Sequence, residues 1–343
     1  MTPQRAMGDR SALDPQARIL VTRLRFLGDV ILSLPLLRAL RAAHPHGELH
    51  YLAEPGPLEV LAAQPEVDVR WPAPRGWRHT VRIAAELRTQ RFGAVIDLFA
   101  NPRSALLTRA TQAGIRVGED RRMRRHAYTV ARHLAPGRNA IDQHLDALRA
   151  LGFEPPAASR PEIVLRAAEL LRGAQLWRDL GGGAGIVLHL GATQPAKEWP
   201  AAHAAGWLAA ARHAFGSVVL TTSPGHPEPA ARAAHAVPGT PLVPALGWRE
   251  FMGFLQHARA VVTVDGAVAH AAVALGCPTV ALFGPTDPAV WFPYEDFGPY
   301  RVLHGGAGCA GCAARAQPHD CMARITPDTV LATVAAVLER GNR

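Results

Sequence analysis

Apolar residues along the chain fall into short blocks that alternate between two periods. Segment 19–24 (ILVTRL) is an apolar run of strand length. After it, Val30, Leu34, Leu37 and Leu40 recur at three- and four-residue intervals, which predicts a helix over 30–43. Pro35 lies inside that span. Either Ser33 caps a helix whose first turn holds Pro35, or a helix with an earlier start is kinked there. Segment 49–53 predicts a second strand. Helices over 58–64, 81–90 and 104–112 then alternate with strands over 67–71, 94–98 and 115–118.

The second half repeats the rhythm. A helix over 167–180 runs into Gly181-Gly182-Gly183, the best linker signal in the chain. Strands follow at 186–190, 217–221, 260–264 and 279–283, with helices at 201–215, 229–236, 248–256, 268–275 and 329–340. Strand and helix alternating at this pitch predict an α/β fold of parallel sheets covered on both faces. The length, 343 residues, suits two domains. The expected architecture is two doubly wound domains, 1–180 and 181–343, facing across a cleft. The last helix is free to pack back on the first. Ligands in such sheets bind at the carboxyl ends of the strands.

Composition narrows the class. Hydrophobic residues make up 48% and charged residues 19%, which excludes disorder for most of the chain. The most apolar stretch, 258–283, is interrupted by Asp265, Gly266, His270, Gly276 and Pro278, so it does not read as a membrane span. The first fourteen residues carry Arg5, Asp9, Arg10 and Asp14 and no apolar core, so no signal peptide is expected. Four cysteines are too few for a disulfide scaffold. The expectation is a cytoplasmic enzyme. Its net charge of +9 points to an anionic partner. Lys197 is the one lysine among 37 basic side chains, a hint that an ammonium is needed there.

The chain has no G-x-G-x-x-G after its first strand, no G-x-x-x-x-G-K-[ST], no H-E-x-x-H and no G-x-S-x-G. Dehydrogenase, P-loop and common hydrolase readings are therefore disfavoured. Three strand-to-helix junctions remain. Asp29 follows Leu27-Gly28 where the first strand turns into a helix; by spacing it serves either as a general base or as an N-cap. Thr193 and Lys197 lie in a small-residue loop, Gly191-Ala192-Thr193-Gln194-Pro195-Ala196-Lys197, that suits a phosphate or an ordinary solvated turn. Asp265-Gly266-Ala267 precedes a helix carrying His270, where small residues admit close approach of a pyrophosphate. Capping for Asp265 and core packing for His270 are the plain alternatives.

Together these stretches resemble glycosyltransferase family 9, the ADP-heptose:lipopolysaccharide heptosyltransferases. The resemblance runs through ILVTRLRFLGDVILSLPLLRAL at 19–40, GATQPAKEWP at 191–200, DGAVAHAAVALGCPTVALFGPTDP at 265–288 and CMARITPDTV at 321–330. It implies a GT-B fold of two Rossmann-like domains, acceptor on the first and nucleotide-sugar on the second. It also implies metal-independent, inverting transfer of heptose from ADP-heptose to an anionic Kdo–lipid A core, at the cytoplasmic face of the inner membrane. By the same resemblance Asp29 is the catalytic base. Thr193, Lys197, Asp265, Gly266, Ala267 and His270 are donor residues, and Glu228 a looser match to a ribose-binding acid. The chain departs from the usual Asp-Thr/Ser-Gly at 265–267, where it lacks the hydroxyl.

Three further readings stand beside this one. Arg121, Arg122, Arg124 and Arg125 form either an anionic-acceptor surface or a solvated loop. Cys309-x-x-Cys312 with Cys321, and His304 or His319, offers a structural metal site; a reduced loop is the favoured alternative. The rival functions are a related transferase with another nucleotide-sugar or a protein acceptor, an inactive homologue, and a protein that binds an anionic polymer. Nucleic acid is disfavoured, because the arginines lack interleaved aromatics.

Overall fold

The computed structural model describes residues 13–121, 123–135, 137–180, 185–306 and 320–341. Arg122, Cys309, Cys312, His319 and the glycines 181–183 lie outside these residues. The first sheet contains β1 (Ile19–Thr22), β2 (Leu49–Ala53), β3 (Val69–Pro72), β4 (Ala94–Asp97), β5 (Ile115–Glu119) and β6 (Val130–Arg132), in the order β3-β2-β1-β4-β5-β6. The second contains β7 (Ile186–His189), β8 (Val218–Thr221), β9 (Ala260–Val264), β10 (Thr279–Phe283) and β11 (Tyr300–His304), in the order β11-β10-β9-β7-β8. Every pairing in both sheets is parallel. Central strands β1, β4, β7, β9 and β10 are buried along their whole length, as expected of a sheet covered on both faces.

The region expected as one helix over 30–43 is two, Leu27–Leu32 and Leu34–Ala43, joined at Ser33. Pro35 falls in the first turn of the second, where its missing N–H leaves no helical bond unmade. Ser33 occupies the cap position, but its hydroxyl bonds the Val30 carbonyl and lies 2.8 Å from the Tyr51 hydroxyl rather than capping. The earlier start moves Asp29 to the third helical position, so it is not an N-cap.

The final helix, Pro327–Gly341, does not return to the first domain. Val330, Val334 and Val337 pack with Val262, Val264 and Leu282 of the second sheet. Its single valine stripe matches the face of that sheet and is satisfied there. The Ala167–Asp179 helix precedes the expected boundary at 180, yet it packs on the Trp248–Leu255 helix between β8 and β9. Trp177 stacks on Phe254 at 4.6 Å and donates its indole N–H to the Phe254 carbonyl at 2.9 Å. Arg249 forms a 2.5 Å ion pair with Glu169.

The two helices cross glycine on glycine. A Cβ on Gly253 would stand 2.2 Å from the Glu169 carbonyl oxygen, and one on Gly173 would stand 2.0 Å from the Gly253 oxygen. Backbone faces backbone, so neither side can give way. Gly253→Ala is expected to lower stability by ~1–3 kcal/mol through overpacking, despite the better helix propensity of alanine. A chemical-denaturation midpoint lowered at constant slope would establish this, and an unchanged midpoint would refute it.

Candidate active site

A cavity of about 520 Å³ lies between the carboxyl ends of the two sheets. Its walls are set by two short helices, Leu27–Leu32 after β1 and Ala267–Ala274 after β9, which touch across the cleft. Leu27, Val30 and Ile31 share one apolar cluster with Val268, Ala271 and Ala272. Gly28 permits the approach: a Cβ there would meet the His270 ring at 2.8 Å. His270 is buried, and its Nδ1 lies 2.9 Å from the Tyr294 hydroxyl. Burial lowers the pKa of the imidazole, with the negative charges of Asp265 and Asp29 opposing that shift.

On the first wall, Asp29 is almost buried and lines the cavity. One carboxylate oxygen accepts from Arg23 at 2.5 Å and the other from the Phe26 N–H at 3.0 Å. The second bond is the return half of a capping box, from the third helical position to the cap backbone. Arg23 is itself anchored by donating to the Leu98 carbonyl at 2.5 Å and lies 4.8 Å over the Phe99 ring. Both of its roles need a fork rather than a point charge.

On the second wall, Lys197 ends the single turn Pro195–Lys197 after β7, and Asp265 follows β9. The ammonium and carboxylate meet at 2.6 Å, both largely withdrawn from water. The Thr286 hydroxyl, from the loop after β10, donates to the same oxygen of Asp265. The hydroxyl missing at 265–267 is thus present in this wall, brought from twenty-one residues further along. Gly266 is extended, with φ of 173°, and a Cβ there would meet nothing closer than the Val264 oxygen at 3.9 Å. Thr193, Gly266 and Ala267 line the cavity with them. His189, Ser223 and Trp248 line the cavity as well. Burial pushes His189 down to about 4, and its Nδ1 lies 2.9 Å from the Thr221 hydroxyl.

The sequence-derived candidates divide clearly. Asp29, Thr193, Lys197, Asp265, Gly266, Ala267 and His270 converge on this one cavity. Glu228 does not line it; it is exposed at the first position of the Glu228–Ala236 helix, while Ser223 of the same loop reaches the cavity. Arg121, Arg124 and Arg125 lie outside it, beyond the carboxyl end of β5, and Arg121 is paired with Glu119 at 2.7 Å. Among the described residues no three metal-capable side chains come together. Arg23, Thr286, His189 and Trp248 escape sequence reasoning. Arg23 does sit six residues before Asp29, and Thr286 lies in the loop after the tenth strand.

Known proteins resemble this chain in sequence and in fold. The chain is 29% identical to a lipopolysaccharide heptosyltransferase 1 of Pseudomonas aeruginosa, over 94% of this chain and 98% of that protein. A family 9 glycosyl transferase from Veillonella parvula superposes with a TM-score of 0.84 at 23% identity, covering 96% of this chain and 99% of that one. The ADP-heptose lps heptosyltransferase II of E. coli superposes with a TM-score of 0.80 at 22% identity, covering 95% and 100%. The two facing parallel sheets are the GT-B arrangement of these structures. The profile of glycosyltransferase family 9 (heptosyltransferase) matches residues 80–323, and the chain belongs to that family.

Proposed function

We propose that this enzyme transfers a heptose from ADP-heptose to an anionic lipopolysaccharide-core glycolipid, with inversion at the anomeric carbon. One observation carries the reading: a carboxylate, Asp29, and a compact cation, Lys197, stand on opposite walls of one cavity at the domain seam. The relatives named for this activity support the choice of sugar and acceptor class. The reaction runs at the cytoplasmic face of the inner membrane; among the described residues no helix is long and apolar enough to cross a membrane. The chain's own groups suffice for the chemistry, so no metal is assigned to it.

In the proposed step, the acceptor hydroxyl oxygen attacks the anomeric carbon as Asp29 takes its proton. The bond from that carbon to the phosphate oxygen breaks, and ADP leaves with the electron pair. Base catalysis of this kind contributes ~10²–10⁴-fold. Arg23 and the Phe26 N–H hold the carboxylate by one lone pair on each oxygen, leaving the others for the proton. Lys197, Thr193 and the N-terminus of the Ala267–Ala274 helix stabilise the charge that develops on ADP. Asp265 holds the ammonium in place before the donor arrives. The donor assignment of Glu228 is set aside, because its side chain is outside the cavity. Arg121, Arg124 and Arg125 lie outside the cavity as well, so they are assigned to the anionic acceptor only as a surface beyond it. Mass spectrometry of products from ADP-heptose and a purified core acceptor tests the reading. Conversion with another nucleotide-sugar alone, or with no donor, would reject it.

Asp29→Asn is expected to reduce transfer by ~10²-fold or more, since an amide cannot accept the proton. Its stability should fall by ~1–3 kcal/mol, because Arg23 loses the charge it is bonded to. ADP affinity, read by calorimetry, should change by less than about twofold, as the base acts on the incoming hydroxyl. Near wild-type turnover in folded Asp29→Asn would remove this residue from the mechanism.

Lys197→Ala should weaken ADP binding by ~1.5–3 kcal/mol, the worth of a charge-assisted contact in a desolvated site. Lys197→Arg should recover only part of this, since a planar fork replaces a compact ammonium. Thermal protection by ADP should shrink in the same order. Wild-type ADP affinity in Lys197→Ala would mean that the pyrophosphate sits elsewhere.

A further inference from the structure

On the first domain, large apolar side chains stand in water among arginines. Trp77 is 71% exposed, Val81 48%, Leu106 45% and Met123 88%. Single exposed hydrophobics are ordinary, but these sit on three segments that adjoin. Trp77 and Val81 lie one turn apart on the outer side of the Trp77–Thr89 helix, whose Thr80, Ile83 and Leu87 face inward. That helix packs on Pro102–Ala110, which carries Leu106, and Arg103 of the latter donates to the Thr80 hydroxyl at 2.9 Å. Ala105 packs in turn with Ala127 and Tyr128, just beyond the Met123 loop.

The charges around this face favour one sign. Arg75, Arg78 and Arg82 are exposed beside Trp77 and Val81; Glu86, paired with Arg82 at 3.5 Å, is the opposing charge on that helix. The face is also joined to the reaction cavity by a short chain of contacts. Arg75 pairs with Glu54 at 2.9 Å, and Glu54 pairs with Arg25 at 3.9 Å. The next residue, Phe26, is 63% exposed and lines the cavity mouth.

We propose that this face docks on the surface of an anionic lipid bilayer, with Trp77, Val81 and Leu106 entering the headgroup layer and the arginines meeting lipid phosphates. Tryptophan suits such a boundary because its ring is apolar and its N–H is not. Arginines at a membrane surface are drawn to anionic headgroups and held there by phosphate bonds. Docked this way, the cavity mouth at Phe26 lies beside the membrane, where a lipid-anchored acceptor presents its sugar. The inference rests on the lipid-anchored acceptor of the proposed function.

The test uses the full chain and vesicle sedimentation. Wild type should bind phosphatidylglycerol–phosphatidylethanolamine vesicles at least ~10-fold better than phosphatidylcholine vesicles, and lose much of that binding as salt rises. Trp77→Ser combined with Val81→Ser should bind the anionic vesicles ~10-fold less. Should that variant melt early, Arg78→Gln with Arg82→Gln gives the same reading through charge. The KM for acceptor embedded in vesicles should rise about tenfold in either variant, while the KM for a deacylated, water-soluble acceptor stays unchanged. Equal sedimentation of variant and wild type, no preference for anionic lipid, or self-association through this face would overturn the proposal. Vesicle binding that follows these expectations without any heptose transfer would instead reject the function and leave the docking face standing.

Discussion

The site depends on the contact between Gly28 and His270. Two helices, each following a central strand of its own sheet, meet across the seam, and the missing Cβ at 28 lets the ring lie against the backbone. The Tyr294 hydroxyl lies 2.9 Å from its Nδ1, and burial lowers the pKa of the ring. The apolar cluster continues across the seam from Ile31 to Ala271. This contact fixes the separation of the walls. It thereby sets which groups of the first sheet face which groups of the second.

Each wall then solves the same electrostatic problem differently. A carboxylate taken largely out of water needs an opposite charge close by. Asp29 has Arg23, whose fork is pinned to the Leu98 carbonyl and over Phe99. That partner is fixed in place and acts as an orienting group. Asp265 has Lys197 and the Thr286 hydroxyl. An ammonium on a flexible stem with three donors can keep the aspartate and still reach a phosphate. In a sequence that uses arginine for every other basic position, the proposed phosphate contact would account for the single lysine.

The arginines have a second use on the outer face of the first sheet. There they frame exposed tryptophan, valine and leucine rather than a cavity, and Glu54 links that frame to the loop that carries Phe26. The proposed acceptor surface and the proposed donor site would thus be separated, the one on the arginine-rich outer side of the first sheet and the other under the small-residue loops of the second. The excess positive charge suits such a division, since both substrates of the proposed reaction are anionic.

The alternation of apolar strands and amphipathic helices was enough to specify two doubly wound domains, because fully buried parallel strands read as continuous apolar runs. Strands β9 and β10 were legible residue for residue. Strands β6 and β11 were not, because β6 is only three residues long and the half-exposed residues of both carry little hydrophobic pattern. Strand-to-helix junctions likewise exposed Asp29, Lys197 and Asp265, since such junctions point into the cleft in any fold of this kind. What the sequence could not reveal was pairing at a distance. Thr286 reaches Asp265 because β10 lies beside β9, and Arg23, the near neighbour of Asp29 in sequence, is pinned by the Leu98 carbonyl because β4 lies beside β1. Glu228 fails for the same reason in reverse, being near Ser223 in sequence but outside the cavity Ser223 lines. Local spacing determines which residues stand at the carboxyl ends of strands; only the order of strands in the folded sheets decides which of them meet, because partners a hundred residues apart or twenty are equally close once their strands are neighbours.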